Sequence, residues 1–261
     1  MPEGSTGAGS SDRAQVSPEG IADKVVAVRE QWHTKKHPFF QAMLDGSLPL
    51  RALGVYMAQH LKFVNYVVPS FGFLYWRGAS DIRRMIAENM AEEEGLMAIP
   101  KPGHEPHDHF EMISDFCRHA GLSDEEIANT QPTPGWWART MHYCHVNREE
   151  PLGVALAMAS TQEGQQVALN NDITIPSFAR HYGLTKDDPE IAFFVEHAEA
   201  DLEHSTRQLD LCAKYIQTPE EAARALDVCN VAVRLRWAST TDIYRSEVLG
   251  ETDLLPEGVS A

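Results

Sequence analysis

The fold is decided by residues 189–216, PEIAFFVEHAEADLEHSTRQLDLCAKYI. This stretch holds no strand-like alternation and, after its first residue, no proline or glycine, so it reads as one uninterrupted helix. His197, Asp201 and His204 stand at i, i+4 and i+7, within one narrow arc at about 100° per residue. Phe194 and Leu211 fall on the same arc, which predicts that it faces inward. Desolvating two imidazoles and a carboxylate is costly unless a partner compensates, and a metal ion suits that donor set best. The rise from 197 to 204 is roughly 10 Å, long for a single ion but suited to two adjacent ones. The competing reading is a solvated stripe on an acidic helix. Against it, Glu196, Glu199 and Glu203 occupy the other faces while the triplet continues the apolar one.

Two further carboxylates stand in register on other helices. In LGVALAMASTQEGQQVALNN (152–171) the inward stripe runs Leu152, Leu156, Ala159, Glu163, Val167. In SDIRRMIAENMAEEEGLM (80–97) it runs Ile82, Ile86, Met90, Glu93, Met97, with Glu92 and Glu94 pointing elsewhere and solvated. Two buried carboxylates facing a His/Asp/His helix repel one another unless a cation lies between them. Either glutamate alone is a weak signal; with the triplet they form a constellation. A last ligand is expected from GLMAIPKPGHEPHDHF (95–110), which offers His104, His107 and His109. His109 opens the next helix and so is held by the scaffold, whereas His104 and His107 lie among prolines and glycine.

Composition fits an enzyme-sized domain. The chain has 261 residues, with 22 basic and 38 acidic side chains and a net charge of −16. That balance disfavours nucleic acid or an anionic membrane as partner. Cys117, Cys144, Cys212 and Cys229 are widely spaced without a CxxC, and read as reduced thiols of a cytoplasmic protein. No apolar run reaches membrane-spanning length. Residues 1–17, rich in Gly and Ser, read as a disordered leader, residues 18–247 as a helical domain, and residues 248–261 as a flexible tail.

Nearly everything between those ends reads as helix. Starts are expected near Ser17, Pro38, Pro49, Ser80, Asp108, Ser123, Pro134, Pro151, Asp172, Pro189 and Pro219, several with Pro, Ser or Asp start signals. Pro69 is expected to kink or break one long helix. The aromatics around it (Phe63, Tyr66, Phe71, Phe73, Tyr75 and Trp76) are assigned to the core, with one or two lining a substrate pocket. Arg234 and Arg236 could anchor a substrate carboxylate, although a surface salt bridge suits at least one of them.

The spacing His-x3-Asp-x2-His, with a Glu two helices earlier and a Glu plus His upstream, resembles the heme-oxygenase-like diiron oxidases and oxygenases. HTKKHPFFQAMLDGSLPLRALGVYMAQHLKFV (33–64) is similar to the first helices of pyrroloquinoline quinone synthase and its thiaminase-II relatives. NMAEEEG, HFEMISDFCRHAGLSDEEI and RLRWASTTDIY resemble corresponding parts of that superfamily, so the likeness runs from about residue 20 to 246. It implies an all-α, heme-oxygenase-like bundle of seven or more helices, assembled as a homodimer.

The resemblance also implies a ligand set: Glu93, His109, Glu163, His197, Asp201 and His204 hold two ferrous ions. Glu163 bridges and is essential to catalysis; Glu93, His109 and His204 surround one ion, and His197 with Asp201 the other. Residues 49–77 hold no further glutamate, which leaves an open position or a water. Such a site activates dioxygen as cosubstrate to oxidise a small organic molecule (an amine, amino acid or carboxylic acid), often in specialised biosynthesis. Imidazole and carboxylate ligation without thiolate suits iron, and manganese as well. The alternatives are a cofactor-free oxidase like pyrroloquinoline quinone synthase and a non-enzymatic metal-binding or interaction protein. A thiaminase-II-like hydrolase would need a nucleophile such as Cys144, around which no family motif stands.

Overall fold

The computed structural model describes residues 16–96 and 108–251. Residues 1–15 of the expected leader, residues 252–261 of the expected tail, and His104 and His107 lie outside the described residues. The described chain is all helical, and no strand occurs among the described residues. In order the helices are α1 (Ile21–Gln31), α2 (Pro38–Asp45), α3 (Leu50–Arg77), α4 (Ser80–Glu93), α5 (His109–His119) and α6 (Asp124–Asn129). They continue as α7 (Pro134–Glu149), α8 (Leu152–Leu169), α9 (Ile175–Ser177), α10 (Ala192–Tyr215) and α11 (Pro219–Ile243).

Start signals in the sequence account for most boundaries. Pro38, Pro134 and Pro219 sit in the first turn, where the missing N–H has no helical partner to lose. Ser123 and Glu126, and Thr218 and Glu221, form reciprocal capping boxes on α6 and α11. The expectations at Asp172 and Pro69 need correcting. No separate helix starts at Asp172: α8 passes directly into a π-helical turn at Asn170–Thr174 and on into α9. Helix α3 runs unbroken through Pro69, which is exposed. Asn65, whose carbonyl loses its donor there, is exposed as well, so water can replace the bond.

Helix α8 is the hub. Residues 154 to 161 are buried on every side, as expected of a helix that α1, α7, α10 and α11 all pack against. Helix α3 forms a second spine, covered by α4, α5 and α7. Gly54 lets α3 approach α5 closely: a Cβ there would stand 2.6 Å from that of Ala120. At the centre Trp136 is fully buried, with Tyr56, His60 and Phe63 rings 5.2, 6.2 and 6.2 Å away. Trp136→Ala removes the largest buried side chain and should cost about 3–5 kcal/mol. Chemical denaturation would read that loss, and a change below about 1 kcal/mol would mean the centre repacks freely.

The aromatic run in α3 also differs from expectation. Phe63 is buried, but Tyr66, Phe73, Tyr75 and Trp76 are exposed, Trp76 at 79%. Tyr66 and Phe73 lie on one exposed side of the helix, and Tyr75 and Trp76 are exposed in its last turn. The four cysteines are free, Cys117, Cys212 and Cys229 buried and Cys144 half-buried. No helix among the described residues is long and apolar enough to cross a membrane.

Candidate metal centre

Helices α4, α5, α8 and α10 bring the sequence-expected residues toward one another. Glu93 is the last residue of α4, which ends at a left-handed Gly95 with φ 65°. His109 is the first residue of α5, fixed there because the Asp108 carboxylate accepts the Phe110 N–H at 2.7 Å. Glu163 comes from the hub α8, and His197 and His204 from α10. Gln208, one turn after His204, is buried and donates to Glu163 Oε1 at 2.7 Å. Asn170 and Asn171 donate to the carbonyls of Phe194 and Ala198, which ties the end of α8 to the His197 turn of α10.

Glu93, His109 and His197 each offer a donor atom within 4.8 Å of the other two. His109 Nδ1 is 2.9 Å from Glu93 Oε2, and its Nε2 is 3.6 Å from Glu196 Oε2. The His109 and His197 rings lie 4.6 Å apart. His197 Nδ1 is 2.8 Å from the Phe193 carbonyl, an acceptor only, so Nδ1 carries the proton and Nε2 keeps its lone pair. A second group adjoins the first. His204 Nε2 is 2.7 Å from Glu92 Oε2, and the charges of His204 and Glu93 both act on Glu163. Asp201 lies on α10 between the two histidines, but its side chain is outside the described residues.

The electrostatics are those of a crowded acidic pocket. Burial, reinforced by Glu93, pushes the Glu163 carboxyl up to about 7 even though His204, Gln208 and Asn89 favour its charge. Burial also works against the Glu93 carboxylate, but the hydrogen bond and charge of His109, helped by His197 and His204, bring it below its ordinary value. Burial disfavours the charged form of His109, yet Glu196 and Glu93 outweigh this and raise it to about 10. His197 drops to about 4 through burial and the nearby His109 charge, and so stays neutral, as a ligand must. Glu92 overcomes burial of His204 and raises its pKa.

These residues fit iron. Two imidazoles and a carboxylate within 4.8 Å of one another, without a thiolate, form a donor set iron accepts. Among the described residues Glu163 Oε2 is buried with no hydrogen-bond partner, an expensive arrangement for a carboxylate unless a cation takes that lone pair.

The geometry groups Glu93 and His109 with His197, and His204 with Glu92. Glu92 differs from the expectation that it points to solvent: it is only partly exposed and pairs with His204. The buried stripe of α4 is Ile82, Met85, Ile86 and Asn89, not one through Met90. Positions 92 and 93 therefore straddle its centre line, at about −60° and +40° from Asn89. Exposed Glu94 does point away. Gln208 was missed as well, although it extends the 197/201/204 stripe by one more turn. Of the two arginines on α11, Arg234 is exposed over the Trp32 ring, 5.3 Å away, whereas Arg236 is buried.

The fold has many solved counterparts. A TenA homologue from Pseudomonas syringae superposes with a TM-score of 0.71 at 12% identity, covering 88% of this chain and 96% of that one. A heme-oxygenase-like domain from Shewanella denitrificans gives 0.69 at 14% identity, covering 92% and 99%. Among sequence relatives, a protein of Nitrosomonas europaea named 4-aminobenzoate synthase is 24% identical over 233 residues, 85% of this chain and 90% of its own. One of the same name from Chlamydia muridarum is 20% identical, over 71% of this chain and 75% of its own. The profile of the iron-containing redox enzymes matches residues 53–237, a span that runs from α3 to α11 and includes Glu93, His109, Glu163, His197 and His204. This chain is thus an oxidoreductase and belongs to the family of iron-containing redox enzymes.

Proposed function

We propose that the protein is a non-heme diiron oxidase or oxygenase that uses dioxygen to oxidise a small organic molecule carrying an amine or carboxylate. The observation that carries this reading is Glu163, a buried carboxylate with one oxygen unpartnered among the described residues, on which the charges of both His204 and Glu93 act. In this reading Glu93, His109 and His197 would hold one iron and His204 would serve the other, with Glu163 as a further carboxylate ligand; Asp201 keeps only the ligand role that the family resemblance implies. Bound iron supplies the electrons and open coordination positions needed to engage dioxygen. The protein's own residues do the rest. The Phe193 carbonyl fixes the His197 tautomer, Gln208 orients Glu163, and Glu92 holds His204. Phe193, with its ring 4.1 Å from that of His197, shields this face from water.

The cofactor-free alternative fares worse, because it leaves Glu163 buried beside the Glu93 charge, with one carboxylate oxygen that has no hydrogen-bond partner among the described residues. The two relatives named 4-aminobenzoate synthase support a small aromatic or amino-acid substrate and a biosynthetic role. A cytoplasmic location, a homodimer and a single helical domain over residues 18–247 belong to the same proposal.

Anaerobic loading with ferrous iron is expected to give two irons per chain by metal analysis. Exposure to oxygen with candidate amines and amino acids, followed by rapid absorbance and mass spectrometry, should then give an oxidised product. Iron consistently below one per chain would sink the dinuclear reading. Two irons without oxygen uptake would leave a metal-binding protein.

A further inference from the structure

Two arginines lie deep in the bundle with no acid paired to them among the described residues. Arg139 of α7 is 0% exposed and Arg236 of α11 is 2% exposed. Arg139 donates from Nη2 to the Gln162 side chain and lays its guanidinium over Phe63 and Trp136, 4.3 and 4.8 Å from the ring centroids. Arg236 donates from Nη1 to the Gln162 carbonyl at 2.9 Å and from Nη2 to Gln166 Oε1 at 2.8 Å. Gln162 therefore holds both arginines, one residue before Glu163. Among the described residues, Nε and Nη1 of Arg139 and Nε of Arg236 have no hydrogen-bond partner. Neither arginine makes an ion pair with a carboxylate among the described residues. Each feels the other's charge: burial, then Arg236, brings Arg139 down to about 10, which the Tyr56 and Tyr143 hydroxyls only partly offset.

An unbalanced buried guanidinium is among the costlier arrangements a fold can hold, and two together more so. The usual compensation is an anion, which the planar fork of arginine grips in two places. A narrow interior cavity supplies the route. Tyr56, His60, Gln166 and Phe193 line it. Gln166 is the acceptor of Arg236, and Phe193 packs on His197 of the metal cluster. Neither arginine lines the cavity itself; Gln166 connects it to Arg236, and Phe193 connects it to the metal cluster.

We propose that Arg139 and Arg236 form a carboxylate-binding pocket, so that the substrate is a small organic carboxylate whose body lies along His60 and Phe193 and meets the metal centre beyond. The route to the metal rests on the oxidase reading above; the anion pocket does not. The cavity holds about 10 Å³, the room of one water, so the ligand is slender and displaces a side chain as it enters.

Calorimetry on the full chain, iron-loaded and after chelation, tests this with formate, acetate and benzoate against formamide, acetamide and benzamide. At least one carboxylate should bind on the order of tenfold or more tighter than its amide, in both metal states. Arg139→Gln and Arg236→Gln should each erase that preference. No such preference in the chelated protein would overturn the proposal, and so would a preference that survives in both variants. If the variants misfold, the wild-type comparison decides alone. Iron content and oxygen uptake on the same preparation separate the two readings. Uptake without carboxylate preference defeats only the pocket; preference without iron or uptake defeats the oxidase and leaves the pocket standing.

Discussion

Glu163→Ala is expected to abolish oxygen-dependent turnover, with a loss on the order of 100-fold or more, and to lower the iron content by at least one ion per chain. Loss of a residue that only supports a ligand costs about 10- to 100-fold, and Glu163 is proposed to be a ligand itself. Its neighbourhood gives the contrast. Glu92→Ala removes the partner that orients His204 and should cost about tenfold. Glu94→Ala, on the exposed side of the same turn, should stay within about twofold. Turnover and metal content measured on all three variants give this ordering or refute it. Equal damage from all three would mean the last turn of α4 has a different phase. Full activity in Glu163→Ala would remove Glu163 from the centre.

Acidification is expected to unfold the protein well before its carboxylates are all protonated, because of two histidines far along the chain from the metal centre. His33 and His37 are 0% and 1% exposed. Each uses Nδ1 as a helix-capping acceptor, from Lys35 N–H at 3.2 Å and Phe39 N–H at 3.1 Å. That role requires a neutral ring. Burial, with Arg236 and other cations nearby, brings His33 down to about 3, and burial alone brings His37 to about 4. A histidine with a depressed folded-state pKa favours folding fully above its unfolded value of about 6.5. As pH falls below that, the unfolded chain takes up protons that the folded chain cannot, and stability is lost until the folded pKa is reached. At pH 5 each histidine has cost about 2 kcal/mol. Denaturation at pH 7.5, 6 and 5 should show the fall, and His33→Gln with His37→Gln should make it shallower, while His60 and His197, which burial also holds below the ordinary value, keep their share. A stability independent of pH over that range would show that these rings are solvated.

The sequence by itself determined the helical class, most helix starts and the residues most central to the candidate site. Helix signals are local: a proline in a first turn or a Ser-x-x-Glu box acts on its own neighbours, so Pro38, Ser123, Pro134 and Pro219 were legible without the fold. The same holds for Glu163 and the His197/His204 stripe, where an ionisable residue replaces an apolar one at a fixed period. The helix-by-helix phase of α4 was not legible, because its end near Glu93 leaves two glutamates about equally far from the buried line. Only packing against α10 decided that Glu92 meets His204.

Tertiary structure alone also decided the fate of the α3 aromatics. Tyr66, Phe73, Tyr75 and Trp76 look like core by composition, but α3 turns them outward. The arginine pair is the clearest case. Arg139 and Arg236 lie 97 positions apart in sequence (236 minus 139), on helices α7 and α11, and both donate to Gln162 of α8. Nothing local marks a buried arginine, since its burial and its lack of an acid partner are properties of the surroundings. Periodicity tells which side of a helix faces inward, but the group that waits there comes from another helix.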